Sequence, residues 1–130
     1  MLPSDALVKF ILCDSAREEK DNKVSLLGVY PDDTVYLPAD ARFPAAFPLT
    51  LVYFLLDGEG AFSGAIELKT PIPQPPFSGP LPNIQKAAKQ PGTILVSFTP
   101  FVAGGFGRYE AIMTLNNQRY TRTFTVAPAP

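Results

Sequence analysis

An all-β fold, an antiparallel two-sheet β-sandwich of seven or eight strands, immunoglobulin-like or a similar Greek key, is what this sequence predicts, on three observations. Short apolar runs alternate with period two, the mark of strands with one face buried. The 15 prolines and 9 glycines punctuate those runs without a collagen-like period. No segment of helical period exceeds two turns and no fixed-length repeat is visible, which sets α/β folds aside. With 130 residues, 46% of them hydrophobic, the chain fills one core but not two, so 1–130 is expected to be a single domain.

Taken in order, the run Ala6 to Asp14 and the run Lys23 to Tyr30 flank a charged stretch, Ser15 to Asn22, that reads as a hairpin or arch. In the second run Val24, Leu26, Gly28 and Tyr30 share one face. Pro31-Asp32-Asp33 turns the chain into a short edge strand, Thr34 to Leu37, and an irregular connection through Pro38, Pro44 and Pro48 follows. Leu49 to Asp57 and Ala61 to Thr70, joined by Asp57-Gly58-Glu59-Gly60, make the clearest hairpin in the sequence. Its first arm is apolar on both faces, with Leu49, Leu51, Tyr53 and Leu55 on one and Val52, Phe54 and Leu56 on the other. That second face needs cover, from the proline-rich connection 71–92 or from another chain. A single helical turn at Asn83 to Lys89 is allowed within that connection. The last runs are Thr93 to Phe101, Phe106 to Asn116 and Gln118 to Ala127, the final two joined by a two-residue turn at Asn116-Asn117. Gly107-Arg108-Tyr109 resembles the start of the penultimate strand of immunoglobulin-like sandwiches, where a tyrosine hydroxyl pins a corner.

The stretch Phe10-Ile11-Leu12-Cys13-Asp14-Ser15-Ala16, followed by Asn22-Lys23-Val24-Ser25-Leu26-Leu27-Gly28-Val29-Tyr30, resembles a bacterial family of small β-sandwich proteins of unknown function. The signature covers about the first quarter of the chain and joins a Leu-Cys-Asp strand end to a Lys-x-Ser-x-x-Gly-Val-Tyr second strand. It implies a bacterial source and carries over no functional residue.

The chain has no histidine, which removes the commonest general base near neutral pH and the commonest transition-metal ligand. Cys13, the one cysteine, lies in an apolar strand and reads as a small buried hydrophobe. No nucleophile, base and orienter assemble from what remains, so no enzyme and no cofactor are expected. A net charge of −1 without a basic cluster argues against nucleic-acid partners. The apolar run Ala6 to Cys13 is too short for the roughly 18 to 20 residues of a membrane span. Met1 to Asp5 lacks the basic start of a secretory signal, which points to the cytoplasm.

Four constellations remain. The Ser15 to Asn22 loop with Glu18, Glu19 and Asp21, the Asp57 to Gly60 turn with Glu59, and the Pro100 to Gly107 loop would share one end of the sandwich, where carboxylates could hold calcium or simply serve the turns. Strand parity puts Asp14 and Arg122 on otherwise apolar faces. There they are partly buried and paired, with each other as one option, or they reach water at strand ends. Pro71-Ile72-Pro73-Gln74-Pro75-Pro76 suits either a polyproline II ligand or a covering loop. Leu7, Ile11, Val52, Phe54 and Leu56 fall off the main core faces and form the candidate interface. The expected function is therefore a non-catalytic binding or structural module acting through protein contact or as a homo-oligomer. The alternative is a ligand-binding sandwich for carbohydrate or a divalent ion, using Tyr30, Tyr36, Asp57 and Glu59.

Overall fold

The computed structural model describes residues 1–72 and 77–130. A single 3-10 turn at Asp5–Leu7 precedes nine strands: β1 (Val8–Glu18), β2 (Val24–Val29), β3 (Thr34–Leu37), β4 (Ala45–Leu55), β5 (Gly60–Lys69), β6 (Phe77–Lys86), β7 (Gly92–Ala103), β8 (Gly107–Leu115) and β9 (Gln118–Pro128). They form a two-sheet sandwich, a four-stranded sheet ordered β2-β1-β4-β7 and a five-stranded one ordered β3-β9-β8-β5-β6. All pairings are antiparallel except β3 with β9, which is parallel. The strand number exceeds the expected seven or eight because β6 falls where a connection was expected. No helix among the described residues is long and apolar enough to cross a membrane.

The period-two patterns decide which face of each strand meets the core. Leu49, Leu51, Tyr53 and Leu55 of β4 are fully buried against Tyr109, Met113, Tyr120 and Phe124 of the opposite sheet. Tyr109 and Phe124 stack at 5.3 Å between ring centroids, and Phe101 meets both edge-on. The corner expected at Tyr109 is present, its hydroxyl donating to the Gly105 carbonyl at 2.7 Å. The tight β8–β9 hairpin is present too, with Leu115 opposite Gln118 and Asn116 at φ 53°.

Several expectations fail. Leu49 to Asp57 and Ala61 to Thr70 are not a hairpin, because β4 and β5 belong to different sheets and Asp57 to Gly60 carries the chain between them. A turn with positive-φ glycines, Gly58 at 86° and Gly60 at 125°, serves an arch as well as a hairpin. The neighbours of β4 are instead β1 and β7, drawn from distant parts of the chain. The described part of the connection 71–92 is likewise not a covering loop, since Phe77–Lys86 pairs with β5 as the edge of the five-stranded sheet. Residues 83–86, placed in a possible helical turn, are strand. Pro80 and Pro82 fit there because an edge strand leaves one side of its backbone unpaired. Of the candidate polyproline ligand, residues 73–76 lie outside the described residues.

Strand direction also separates loops that were expected together. Ala45 opposes Ala103 at one end of the β4–β7 pair, and Leu55 opposes Gly92 at the other. The Asp57 to Gly60 arch therefore lies at the end opposite the turn that follows Ala103. The additional strand β6, which runs back antiparallel to β5 before β7 begins, is what puts the two at opposite ends.

Candidate functional site

The outer face of the four-stranded sheet is where the sequence left an uncovered apolar surface. Register places Lys9, Ile11 and Cys13 of β1 beside Phe54, Val52 and Thr50 of β4, and these beside Thr93, Leu95 and Ser97 of β7. A strand rises about 3.3 Å per residue, so a straight β1 would carry Glu18 about 30 Å along the sheet from Lys9 and hence from the level of Thr93. Yet Glu18 and Thr93 line the same two clefts, of about 310 and about 400 Å³. The hairpin beyond Asp14 therefore doubles back. With the core occupying the inner side, it crosses the outer side, over β4 to the beginning of β7.

Burial agrees with that path. Cys13, Thr50 and Val52 are fully buried although they point away from the core. Within the hairpin Ala16, Val24 and Leu26 are half-buried, whereas Ser15, Arg17, Ser25 and Leu27 are exposed. The cover expected for the second face of β4 thus comes from the chain's own amino-terminal hairpin.

The turning point uses the residues of the Leu-Cys-Asp and Gly-Val-Tyr signature. Cys13 pairs with Val29 and Ser15 with Leu27, while Asp14 and Gly28 between them are not matched in the ladder. Gly28 has φ 67°, and a β-carbon there would collide with the Asp14 carboxylate. The Tyr30 hydroxyl donates to Asp14 Oδ1 at 2.6 Å. Burial first, then that bond and the nearby carboxylate, push the Tyr30 hydroxyl up to about 12. The Cys13 thiol is also raised, by burial and then by Asp14, and its Sγ lies 3.3 Å from the Ser15 carbonyl. Thr50 Oγ1 donates to the Asp14 carbonyl at 3.3 Å and stands 3.2 Å from Ser97 Oγ. Neither the thiol nor the phenol is poised to ionise near neutral pH, which leaves both poor nucleophiles.

Of the five candidate interface residues, Val52 is removed by burial. Leu7 and Leu56, joined by a backbone bond of 3.0 Å, are 40% and 47% exposed. Ile11 and Phe54 are half-buried between them and the hairpin's turning point. Sequence reasoning missed Leu27 and Val29 of β2, which are 67% and 45% exposed. Alternation alone placed Leu27 and Val29 on a face that any sheet neighbour could cover.

Asp14 and Arg122 are not partners. Arg122, with a side chain 19% exposed, is paired with Asp5 at 3.0 Å and donates to the Val8 carbonyl at 2.8 Å, tying β9 to the start of β1. Lys86 was also missed. It is 5% exposed in an edge strand, its Nζ donating to Gly58 O at 3.0 Å and Ala87 O at 2.7 Å, so it fastens the arch to the loop before β7.

The acidic alternative does not assemble. Among the described residues no three Asp, Glu or Cys side chains converge as a metal-ligand set. Asp57 is bonded by the amide and hydroxyl of Ser4, while Tyr36 lies on β3 and is bonded to Asp32. Tyr36 pairs with Ala127, near the Gly107 end of the sandwich, so it and Asp57 stand at opposite ends. Neither a scan of family models nor a search of curated proteins matches this chain.

Proposed function

We propose that this chain is a non-catalytic binding or structural module of immunoglobulin-like sandwich type, working in the cytoplasm through protein contact or self-association. The observation that carries the reading is the set of exposed apolar side chains Leu7, Leu56, Val29 and Leu27 on and beside the four-stranded sheet. Apolar side chains grouped at a surface gain from burial against another protein, about 25 cal/mol per Å² removed from water. The absence of histidine and the raised Cys13 and Tyr30 groups support a role without catalysis. Nucleic acid, membrane and cofactor have no part in the proposal.

Sedimentation velocity over a wide concentration range tests the self-association form. Concentration-dependent dimerisation is expected, and Leu56→Lys with Val29→Lys should abolish it without lowering the melting temperature. A wild-type monomer at the highest concentration would sink self-association and leave contact with a different protein. Thermal-shift titration with calcium and with a panel of sugars addresses the alternative, and a clear shift would replace this reading by ligand binding.

A further inference from the structure

We propose that the β1–β2 hairpin beyond Asp14 is a hinged arm that opens as a unit about Asp14 and Gly28, uncovering the outer face of β4 with Cys13, Thr50 and Val52. Four observations carry this. First, β1 pairs with β4 only as far as Cys13, and from Ser15 onward its ladder runs only to β2. The arm is a two-stranded ribbon, and such ribbons are marginal by themselves. Second, the ladder is interrupted in both strands at one level, Asp14 and Gly28, and Gly28 holds a positive φ that a side chain would strain.

Third, the side-chain bonds of the arm's far half are internal: Arg17 and Ser25 both donate to Glu19. The side-chain bonds that reach the body, from Thr50 Oγ1 to the Asp14 carbonyl and from Cys13 Sγ to the Ser15 carbonyl, fall at the hinge itself. Fourth, the far end meets β6 and β7 across clefts of about 310 and about 400 Å³ rather than a filled interface. Elements with few buried contacts open locally at a free energy well below that of global unfolding. Opening the arm leaves the β1–β4 and β4–β7 ladders and the five-stranded sheet paired, and frees a face that its own chain otherwise occupies.

Cys13 lies under the turning point and is the sole thiol, so it reports opening directly. The experiment is alkylation of the native protein by iodoacetamide at urea concentrations below the unfolding transition. The control is a Cys13→Ser, Ala111→Cys variant, whose reporter lies fully buried in the middle of the five-stranded sheet. After correction for intrinsic thiol reactivity, Cys13 is expected to react about 100-fold faster than the control, with a shallower dependence on urea.

Ile66→Val, in the core of β5, should speed the control reporter and leave Cys13 labelling unmoved. Tyr30→Phe, which removes the bond to Asp14, should speed Cys13 labelling by about 5- to 10-fold. Equal rates and equal urea slopes for the two reporters would overturn the proposal. If the Ala111→Cys variant fails to fold, hydrogen exchange of the wild-type chain decides instead. Faster exchange of amides 16–26 than of those in β4 and β8 supports a hinged arm, and uniform protection refutes it.

Discussion

Arg122→Met tests the latch that holds β9 to the start of β1. The guanidinium donates to Val8 O at 2.8 Å, to Asp5 O at 2.9 Å, to Thr121 O at 2.9 Å and to Asp5 Oδ1 at 3.0 Å. These bonds differ in weight. The Asp5 side chain is 62% exposed, and an ion pair to such a group is worth below about 1 kcal/mol. The Val8 carbonyl belongs to a residue only 3% exposed, and stranding a buried carbonyl costs about 1 to 3 kcal/mol. Methionine keeps the packing of the arginine stem and removes every donor, so the expected loss is about 2 to 4 kcal/mol. For a chain of this size that lowers the melting temperature by about 6 to 20 °C. Urea unfolding and calorimetry on Arg122→Met, Asp5→Ala and the double variant separate the contributions. Asp5→Ala should cost under about 1 kcal/mol, with coupling of the same size. Arg122→Met within about 0.5 kcal/mol of wild type would refute the latch, and Asp5→Ala as damaging as Arg122→Met would make it an ion pair instead.

Two buried tyrosines should respond oppositely to loss of their hydroxyls. Tyr120 donates to the Pro3 carbonyl at 2.6 Å, so Tyr120→Phe is expected to cost about 1 to 2 kcal/mol in urea unfolding, whereas the Tyr53 hydroxyl has no partner among the described residues and Tyr53→Phe should be neutral or stabilising. Gly28→Ala combines a positive φ with a collision against Asp14 and should destabilise by about 1 to 3 kcal/mol in the same assay. The Ser4 hydroxyl and amide hold the Asp57 carboxyl below its ordinary range. Its contribution is thus present above the unfolded-state value and lost as pH falls through the folded one, and Asp57→Asn should flatten the acid limb of the stability profile. Asp33 is shifted the other way, upward by burial and then by Asp32. Its penalty is in force above the folded value and disappears in acid, so Asp33→Asn, which also suits φ 54°, should stabilise at neutral pH and make no difference at low pH.

Much of the fold was legible because period-two burial and turn chemistry are local. The terminal hairpin at Asn116-Asn117, the edge strand Thr34–Leu37 and the Tyr109 corner all follow from residues within a few positions of one another. Of the site, the sequence showed that β4 is apolar on both faces and that Asp14 and Arg122 fall on otherwise apolar faces. It could not show that Arg122 meets Asp5 and Asp14 meets Tyr30, because alternation assigns a side chain to a face and names no partner across space.

The sequence by itself determined a β-sandwich with a surplus apolar face on Leu49 to Asp57. Strand spacing, alternation and punctuation suffice for that. Only the tertiary structure decided that Asp57 to Gly60 is an arch between sheets, that Phe77–Lys86 is a strand, and that the surplus face is covered by the amino-terminal hairpin. The physical reason is the same in each case. A glycine turn or an apolar face is satisfied equally by several neighbours, and the choice among them rests on pairings between strands far apart in the chain, such as β1 with β4 and β4 with β7.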